Sequence, residues 1–391
     1  MKIIIKIVSI SFLLFVTSCQ TNKSLKYLID DTIINLDKIE EREIRTSDLF
    51  KNVRSIILET KAECVIANIS EIQFFDNEFY LLDMIGSSIF VFDANGNFNR
   101  RIGRVGRGPG EYIRPVDFTI DTLKREIYVL DGEKIHKYSV DGKYINTIQI
   151  ITNPKPPRFR YIQYFNETLF AATNQLNNED EHLLYLIDSV TGNVLAGYFS
   201  LEDNLGWYIP VGASVFFNRL YDKPRFMYPC MNTIITLYDM YPFITFESNR
   251  WILREEIENV KRQQIPIHSQ LTQLTQLKKI QNIIDYVENK DMIIFSYHLD
   301  NRKHIAVHLK HEKKTYLGNP FINNLLYADD NVRTINFKST DKKGALEVVS
   351  RDQFEYFKSS LLPNIDNREN LLALNEEANP IIFYYEFKDA E

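Results

Sequence analysis

Residues 69–98 read ISEIQFFDNEFYLLDMIGSSIFVFDANGNF, and residues 116–145 read VDFTIDTLKREIYVLDGEKIHKYSVDGKYI. The second stretch repeats the plan of the first. Asp83 and Asp131 end matching apolar runs 48 residues apart, and Gly96 and Gly142 mark matching turns 46 residues apart. Short β-branched and aromatic runs broken by Asp/Asn-Gly turns are the signature of β-hairpins. Weaker copies follow at Tyr161–Leu201, Val215–Glu247 and Ile283–Leu317, with last strands in Asn331–Val349 and Pro380–Lys388. A small sheet repeated every ~40–50 residues cannot bury both of its faces until neighbours stack on it, so the repeat predicts blades arranged around an axis. Six units are counted. The fold class expected is all-β, a six-bladed β-propeller over residues 52–391.

Two lone strands sit at the ends of this array, at Asn52–Thr60 and Ile381–Phe387. Pairing them within one blade would close the ring and remove two open sheet edges. The plan is interrupted from Trp251 to Val287. There Leu271, Leu274, Leu277, Ile280, Ile283, Ile284 and Val287 recur at helical spacing after Pro266, which predicts a helical insertion over about 251–287.

Composition agrees with a sheet protein. Of 391 residues, 45% are hydrophobic and 13% aromatic, and aromatic side chains fit pleated surfaces. With 46 basic against 52 acidic side chains, the net charge of −6 argues against nucleic acid as a partner. Three Cys exclude a disulfide scaffold, and Cys64 and Cys230 are expected as two buried thiols.

At the N-terminus, Lys2 and Lys6 give a basic start to an apolar run from Ile3 to Val16. At ~1.5 Å per residue that run is too short for a hydrocarbon core of about 30 Å, so a signal peptide over residues 1–18 is expected. Val16-Thr17-Ser18-Cys19 resembles the lipobox of bacterial lipoproteins, which implies acylation of Cys19 and a membrane anchor. Residues 19–51 then form a tether and N-terminal arm. Without Lys2 and Lys6 the mature chain has 44 basic against 52 acidic groups, a charge of −8.

The segment Arg101-Ile-Gly-Arg-Val-Gly-Arg-Gly-Pro-Gly-Glu-Tyr112, with Ile127–Asp131 and Tyr138–Lys143, resembles the NHL-type repeat. More closely, it is similar to the six-bladed propeller lipoproteins of Gram-negative bacteria, whose ending appears here as Asn379-Pro380 and an apolar strand. The resemblance covers nearly the whole chain and is weakest from Gly206 to Asn331. It implies a propeller on a lipid anchor in the cell envelope, an outer-membrane lipoprotein, with the face of the membrane left open. It carries no agreed activity.

The chemical candidates are few. Pro109 interrupts Gly103, Gly106, Gly108 and Gly110, and strand rather than helix follows, so a phosphate-binding loop is not expected. Arginines crowd the same segment. Arg101, Arg104, Arg107 and Arg114, with Glu111 and Tyr112, are therefore the expected ligand-binding residues, since guanidinium groups grip carboxylate or sulfate bidentately. The alternative is that Glu111 pairs with one arginine to fix the loop. His298, His304, His308 and His311 cluster in sequence but lack zincin spacing. Glu71, Asp117 and Asp121 lie near inner-strand ends, where a channel would open. Trp207-Tyr208 offers aromatic surface for sugars. No Gly-x-Ser-x-Gly elbow occurs.

No cofactor or metal site is expected, and no catalytic residue is assigned. These features point to a non-catalytic binding or scaffold protein for a glycan, peptide or protein partner. The alternative is a metal-dependent hydrolase or lyase acting in the central channel.

Overall fold

The computed structural model describes residues 32–151, 158–173, 181–200, 217–218, 224–227, 230–328, 335–341 and 343–388. The signal peptide, Cys19 and Trp207-Tyr208 lie outside them. Six sheets of four or five strands form six blades, and the all-β propeller expected from the repeats is the fold. Blade 1 runs from Glu71–Phe75 to Phe98–Ile102, and blade 2 from Asp117–Asp121 to Tyr144–Gln149. Blade 3 runs from Tyr161–Phe165 to Val194–Ser200, and blade 4 from Phe217–Asn218 to Pro242–Glu247. Blade 5 runs from Ile283–Glu288 to Lys314–Ile322.

Blade 6 takes Phe337–Thr340, Gly344–Val349 and Ile381–Phe387 from the C-terminal end and Phe50–Ile57 from the N-terminal end. The two end strands pair antiparallel, with Val53 opposite Tyr385 and Ile57 opposite Ile381. The chain thus seals its own ring, as the lone strands required. The arm before it is also built in. Thr32–Asn35 adds a parallel fifth strand to blade 4, and Glu40–Arg45 adds one to blade 5.

Alternation of side chains explains how the blades stack. Phe79 and Leu81 share a core with Ile56, Leu346 and Ile382 of blade 6, while Tyr80 and Leu82 share one with Phe118 and Ile127 of blade 2. A strand buried on both faces reads as a continuous apolar run, here EFYLLD and SIFVFD. Polar pins tie neighbouring inner strands at a fixed spacing of 45 residues. Gln73 Nε2 donates to Phe118 O (2.8 Å), Ile162 N to Asp117 Oδ2 (2.7 Å), and Tyr164 N to Thr119 Oγ1 (3.0 Å).

The turn glycines have a packing reason. Gly96 has φ +89°, and a Cβ there would sit 2.2 Å from Ile57 O of blade 6. Gly192 repeats this with φ +78° and Gln149 O of blade 2 at 2.0 Å. A left-handed turn pressed against a neighbouring backbone leaves room for hydrogen only.

The helical insertion differs from its expectation. It holds two helices, Arg254–Arg262 and Ile267–Gln276, and the second begins directly after Pro266 as expected. It ends at Leu277, and Lys278 turns left-handed at φ +53°. Ile283, Ile284 and Val287 belong instead to the inner strand of blade 5, paired with Met292–Leu299. Apolar residues three and four apart suit a helix stripe, but a strand buried on both faces accepts them equally. A second, unforeseen helical excursion joins Gly344–Val349 to Ile381–Phe387 through Arg351–Phe357 and Arg368–Ala373. Among the described residues, no helix is long and apolar enough to cross a membrane.

Candidate functional site

The inner strands all begin on one face of the ring, and their first residues enclose a cavity of about 450 Å³. Each blade contributes to its wall. Glu71 comes from blade 1, Asp117 from blade 2, Tyr161 from blade 3, Asn218 from blade 4, Asp285 from blade 5 and Lys338 from blade 6. Glu71 opposes Leu82 and Asp117 opposes Leu130 across their hairpins, so register sets the height of both carboxylates. Asp117 is held by two amides, Phe118 N at 2.9 Å and Ile162 N at 2.7 Å. Burial, followed by the charges of Asp117 and Glu71, holds the Tyr161 phenol well above its ordinary range, and Arg160 acts in the opposite sense. Tyr161 is therefore a neutral donor. Asp121, expected beside these groups, instead caps the turn at the far end of its strand by accepting from Leu123 N and Lys124 N.

A polar chain runs from the wall toward the rim. Asp285 Oδ2 accepts from Ser296 Oγ (2.5 Å) and pairs with Lys303 Nζ (2.6 Å). The same ammonium donates to Ile335 O (2.8 Å) and Asn336 Oδ1 (2.5 Å), and Asn336 also lines the cavity. Asn336 N donates to Glu347 Oε1 (3.3 Å), and Tyr385 Oη donates to Glu347 Oε2 (2.8 Å). Asn323 Nδ2 donates to Tyr385 Oη (2.8 Å), and Thr46 Oγ1 of the N-terminal arm donates to Asn323 Oδ1 (3.2 Å). Burial pushes the Glu347 carboxyl up to about 7. Lys338 is exposed and makes no ion pair among the described residues.

The arginine segment lies elsewhere. None of its residues lines this cavity. It forms the crossing from blade 1 to blade 2, packed at Gly103 and Gly110 against Tyr138 and Tyr144. Glu111 fixes the loop, accepting from Gly108 N (2.8 Å) and Arg104 Nε (2.7 Å), and these donors hold its carboxyl below the usual range. Tyr112 is a core side chain, 1% exposed, whose hydroxyl donates to Ile102 O. Arg101 donates to Glu63 O and lies over Phe90. Arg107 and Arg114 present exposed guanidinium groups without an ion pair among the described residues. Asp131, conspicuous in the repeat, anchors the crossing by accepting from Ile113 N (2.8 Å) and Arg114 N (2.9 Å). Asp83 does the same for Ala67 N at the entry to blade 1.

The histidines do not converge. His304 stacks on Tyr297, His308 Nδ1 meets Thr315 Oγ1 at 2.9 Å, and His311 faces Asp291. Among the described residues, no group of three or more His, Cys, Asp or Glu side chains is placed to hold a metal ion. Cys64 and Cys230 are unbonded, and burial pushes the Cys230 thiol up to about 12.

Sequence reasoning placed Glu71 and Asp117 at the channel but missed Tyr161, Asn218, Asp285, Asn336 and Lys338. The position after each inter-blade crossing was the available signal. It is visible in blades 1 and 2 and faint where the crossings carry helices.

The fold is shared with solved structures of low identity. One, a protein of Bacteroides fragilis NCTC 9343 described as exported, is 18% identical with TM-score 0.73, over 92% of this chain and 99% of that one. Another, a member of the DUF4221 family from Bacteroides vulgatus ATCC 8482, is 12% identical with TM-score 0.50, over 88% and 98%. No curated protein matches the chain. The family model for the domain of unknown function DUF4934 matches residues 31–386, and the chain belongs to that family.

Proposed function

We propose that this protein is a lipid-anchored binding protein of the bacterial cell envelope, an outer-membrane lipoprotein that holds a glycan in its channel mouth without turnover. One observation carries the reading. All six blades converge on a cavity of about 450 Å³ whose wall mixes carboxylate, amide, ammonium and phenol groups with the ring of Phe217. Cavities of this size with a few convergent polar groups suit small polar ligands. Carboxylates and amides that accept and donate around an aromatic surface match sugar hydroxyls and the apolar face of a pyranose. Acylation at Cys19 rests on the Val16-Thr17-Ser18-Cys19 motif, and the likeness to a protein described as exported supports export. Arg107 and Arg114, exposed on the crossing from blade 1 to blade 2, offer cationic contacts for a larger partner carrying the glycan.

The second reading is a metal-dependent hydrolase or lyase in the channel, where Glu71, Asp117 and Asp285 line the wall, although among the described residues no three such groups are placed to hold a metal ion. Purified protein probed on a glycan array, followed by titration with each hit, separates the two. Binding is expected to persist in chelator, to weaken about tenfold in Lys338→Ala, and to return the glycan intact, since one charge-assisted hydrogen bond accounts for such a loss. Cleavage of the glycan, or binding that requires a stoichiometric divalent cation, would establish the enzyme instead. Arg107→Ala with Arg114→Ala is expected to leave binding of short glycans unchanged and to weaken capture of a macromolecular partner.

A further inference from the structure

A second cavity, of about 310 Å³, lies between the helical insertion and the second hairpin of blade 5. Its wall contains Lys278, Lys279, Asn282, His298, Asp300 and Asn301. The frame is rigidly tied. Arg250 Nη2 pairs with Asp300 Oδ1 (2.7 Å) and donates to Lys278 O (3.4 Å), joining the end of helix Ile267–Gln276 to the hairpin tip. Asp300 and Asn301 form that tip with φ +53° and +61°, a two-residue turn between paired Leu299 and Arg302. Lys279 is neutralised by Glu256 at 2.7 Å, and Asp300 by Arg250. What remains is one uncompensated positive charge. Lys278 is exposed, left-handed and without an ion pair among the described residues.

The floor of the cavity is unusual. Asn282 is 5% exposed, and its Nδ2 finds no acceptor. Native proteins rarely bury a donor without a partner, because the lost hydration costs about 1–3 kcal/mol. The imidazole of His298 and the amide of Asn301 have no hydrogen-bond partner among the described residues either, so both are available to a guest. The wall therefore offers an excess of donors over acceptors and a single net cation. We infer that this cavity is a binding site for an oxyanion, a carboxylate or phosphoryl group, seated between Lys278, His298 and Asn301 above the buried amide of Asn282. The guest's oxygens would accept from groups that no protein acceptor satisfies. Charge-assisted hydrogen bonds to such an anion are stronger than neutral ones.

This site is distinct from the channel, although Asn282 precedes the channel residue Ile284 by only two positions, about 7 Å along a strand. Titration calorimetry of the purified protein with inorganic phosphate, and separately with sodium glucuronate, tests the inference. Saturable binding of at least one anion in the millimolar range is expected. Lys278→Ala should weaken it about tenfold, or about 1.4 kcal/mol. Lys278→Glu, at an exposed position that leaves the melting temperature unchanged, should abolish it. The His298 ring resonances should shift on saturation of the wild type and not of Lys278→Glu. Tighter phosphate binding identifies a phosphoryl ligand, and tighter glucuronate binding an acidic sugar. Absence of saturation with both anions, or wild-type affinity in Lys278→Glu, overturns the inference. Neither result bears on glycan binding in the channel, which Lys338→Ala reports separately.

Discussion

Glu347 is 7% exposed and receives hydrogen bonds from Tyr385 Oη and Asn336 N, directly behind the channel wall. Burial raises its carboxyl from 4.5 to about 7, so between those values the folded chain binds more protons than the unfolded one. Its contribution to stability is complete below about pH 4.5 and is lost as pH rises through 7. The difference amounts to roughly 3 kcal/mol, at about 1.4 kcal/mol per pH unit. Glu347→Gln keeps an acceptor for Tyr385 and removes the titration. Thermal unfolding at pH 5 and pH 8 should show a smaller drop in the variant than in the wild type, and equal drops would refute this linkage. Glu288 presents the opposite case. It is 3% exposed between Arg225 (3.3 Å) and Lys310 (2.7 Å), with Tyr286 Oη donating at 2.8 Å. Burial opposes its charge, but Arg225 and then Lys310 outweigh burial and keep the carboxyl below its ordinary range. Glu288→Ala would leave two cations without their counter-charge between blades 4 and 5. Denaturant unfolding should register a loss of about 3–5 kcal/mol. A loss under about 1 kcal/mol would mean that water already reaches the pair.

Among the elements, the closing strand Phe50–Ile57 has the most to hold together. Phe50 is fully buried, with ring centroids 5.6 Å from Phe337, 5.3 Å from Tyr385 and 5.3 Å from Phe387. Phe50→Ala should cost about 3–5 kcal/mol and expose the edge of Ile381–Phe387, so the variant should also aggregate on heating. A near-native melting temperature would show that the ring does not depend on this closure. The closure was legible in sequence because two unpaired apolar runs stood at the chain ends. The hairpins of blades 1 and 2 were legible because Asp83 and Asp131, Gly96 and Gly142 each answer a backbone requirement that recurs. The parallel strands Thr32–Asn35 and Glu40–Arg45 were not, since the first is only four residues long and the second exposes four of its six residues, which leaves little apolar alternation to read. The stripe from Leu271 to Val287 misled at its end. Burial on both faces of Ile283–Glu288 imitates a helical period, while the left-handed Lys278 and the bridge of Ile280 to Trp251 separate the two elements. The arginine crossing announced itself by composition. Its most distinctive residues, Glu111 and Tyr112, turned out to hold the loop, whereas the cavity wall is built from single residues spread over six blades.

At the level of the whole molecule, six inter-blade cores leave the channel mouth as the place where all blades meet, and a ring sealed by its own termini gives that mouth a fixed shape. The net charge of −6 belongs to the whole chain, with carboxylates around the channel and the exposed guanidinium groups of Arg107 and Arg114 on the crossing from blade 1 to blade 2. Mass spectrometry of the protein from its native membrane should find Cys19 as the acylated first residue, and Cys19→Ser should release the body into the soluble fraction. An intact Met1 or a free thiol at Cys19 would remove the anchor. The most direct experiment is a crystal structure of the protein with a glycan that it captures. Density for an uncleaved sugar within reach of Tyr161, Asn336 and Lys338 is the expected result. A sugar bound away from the channel, or present only as cleaved product, would contradict a binding propeller that reads its ligand at the mouth of the ring.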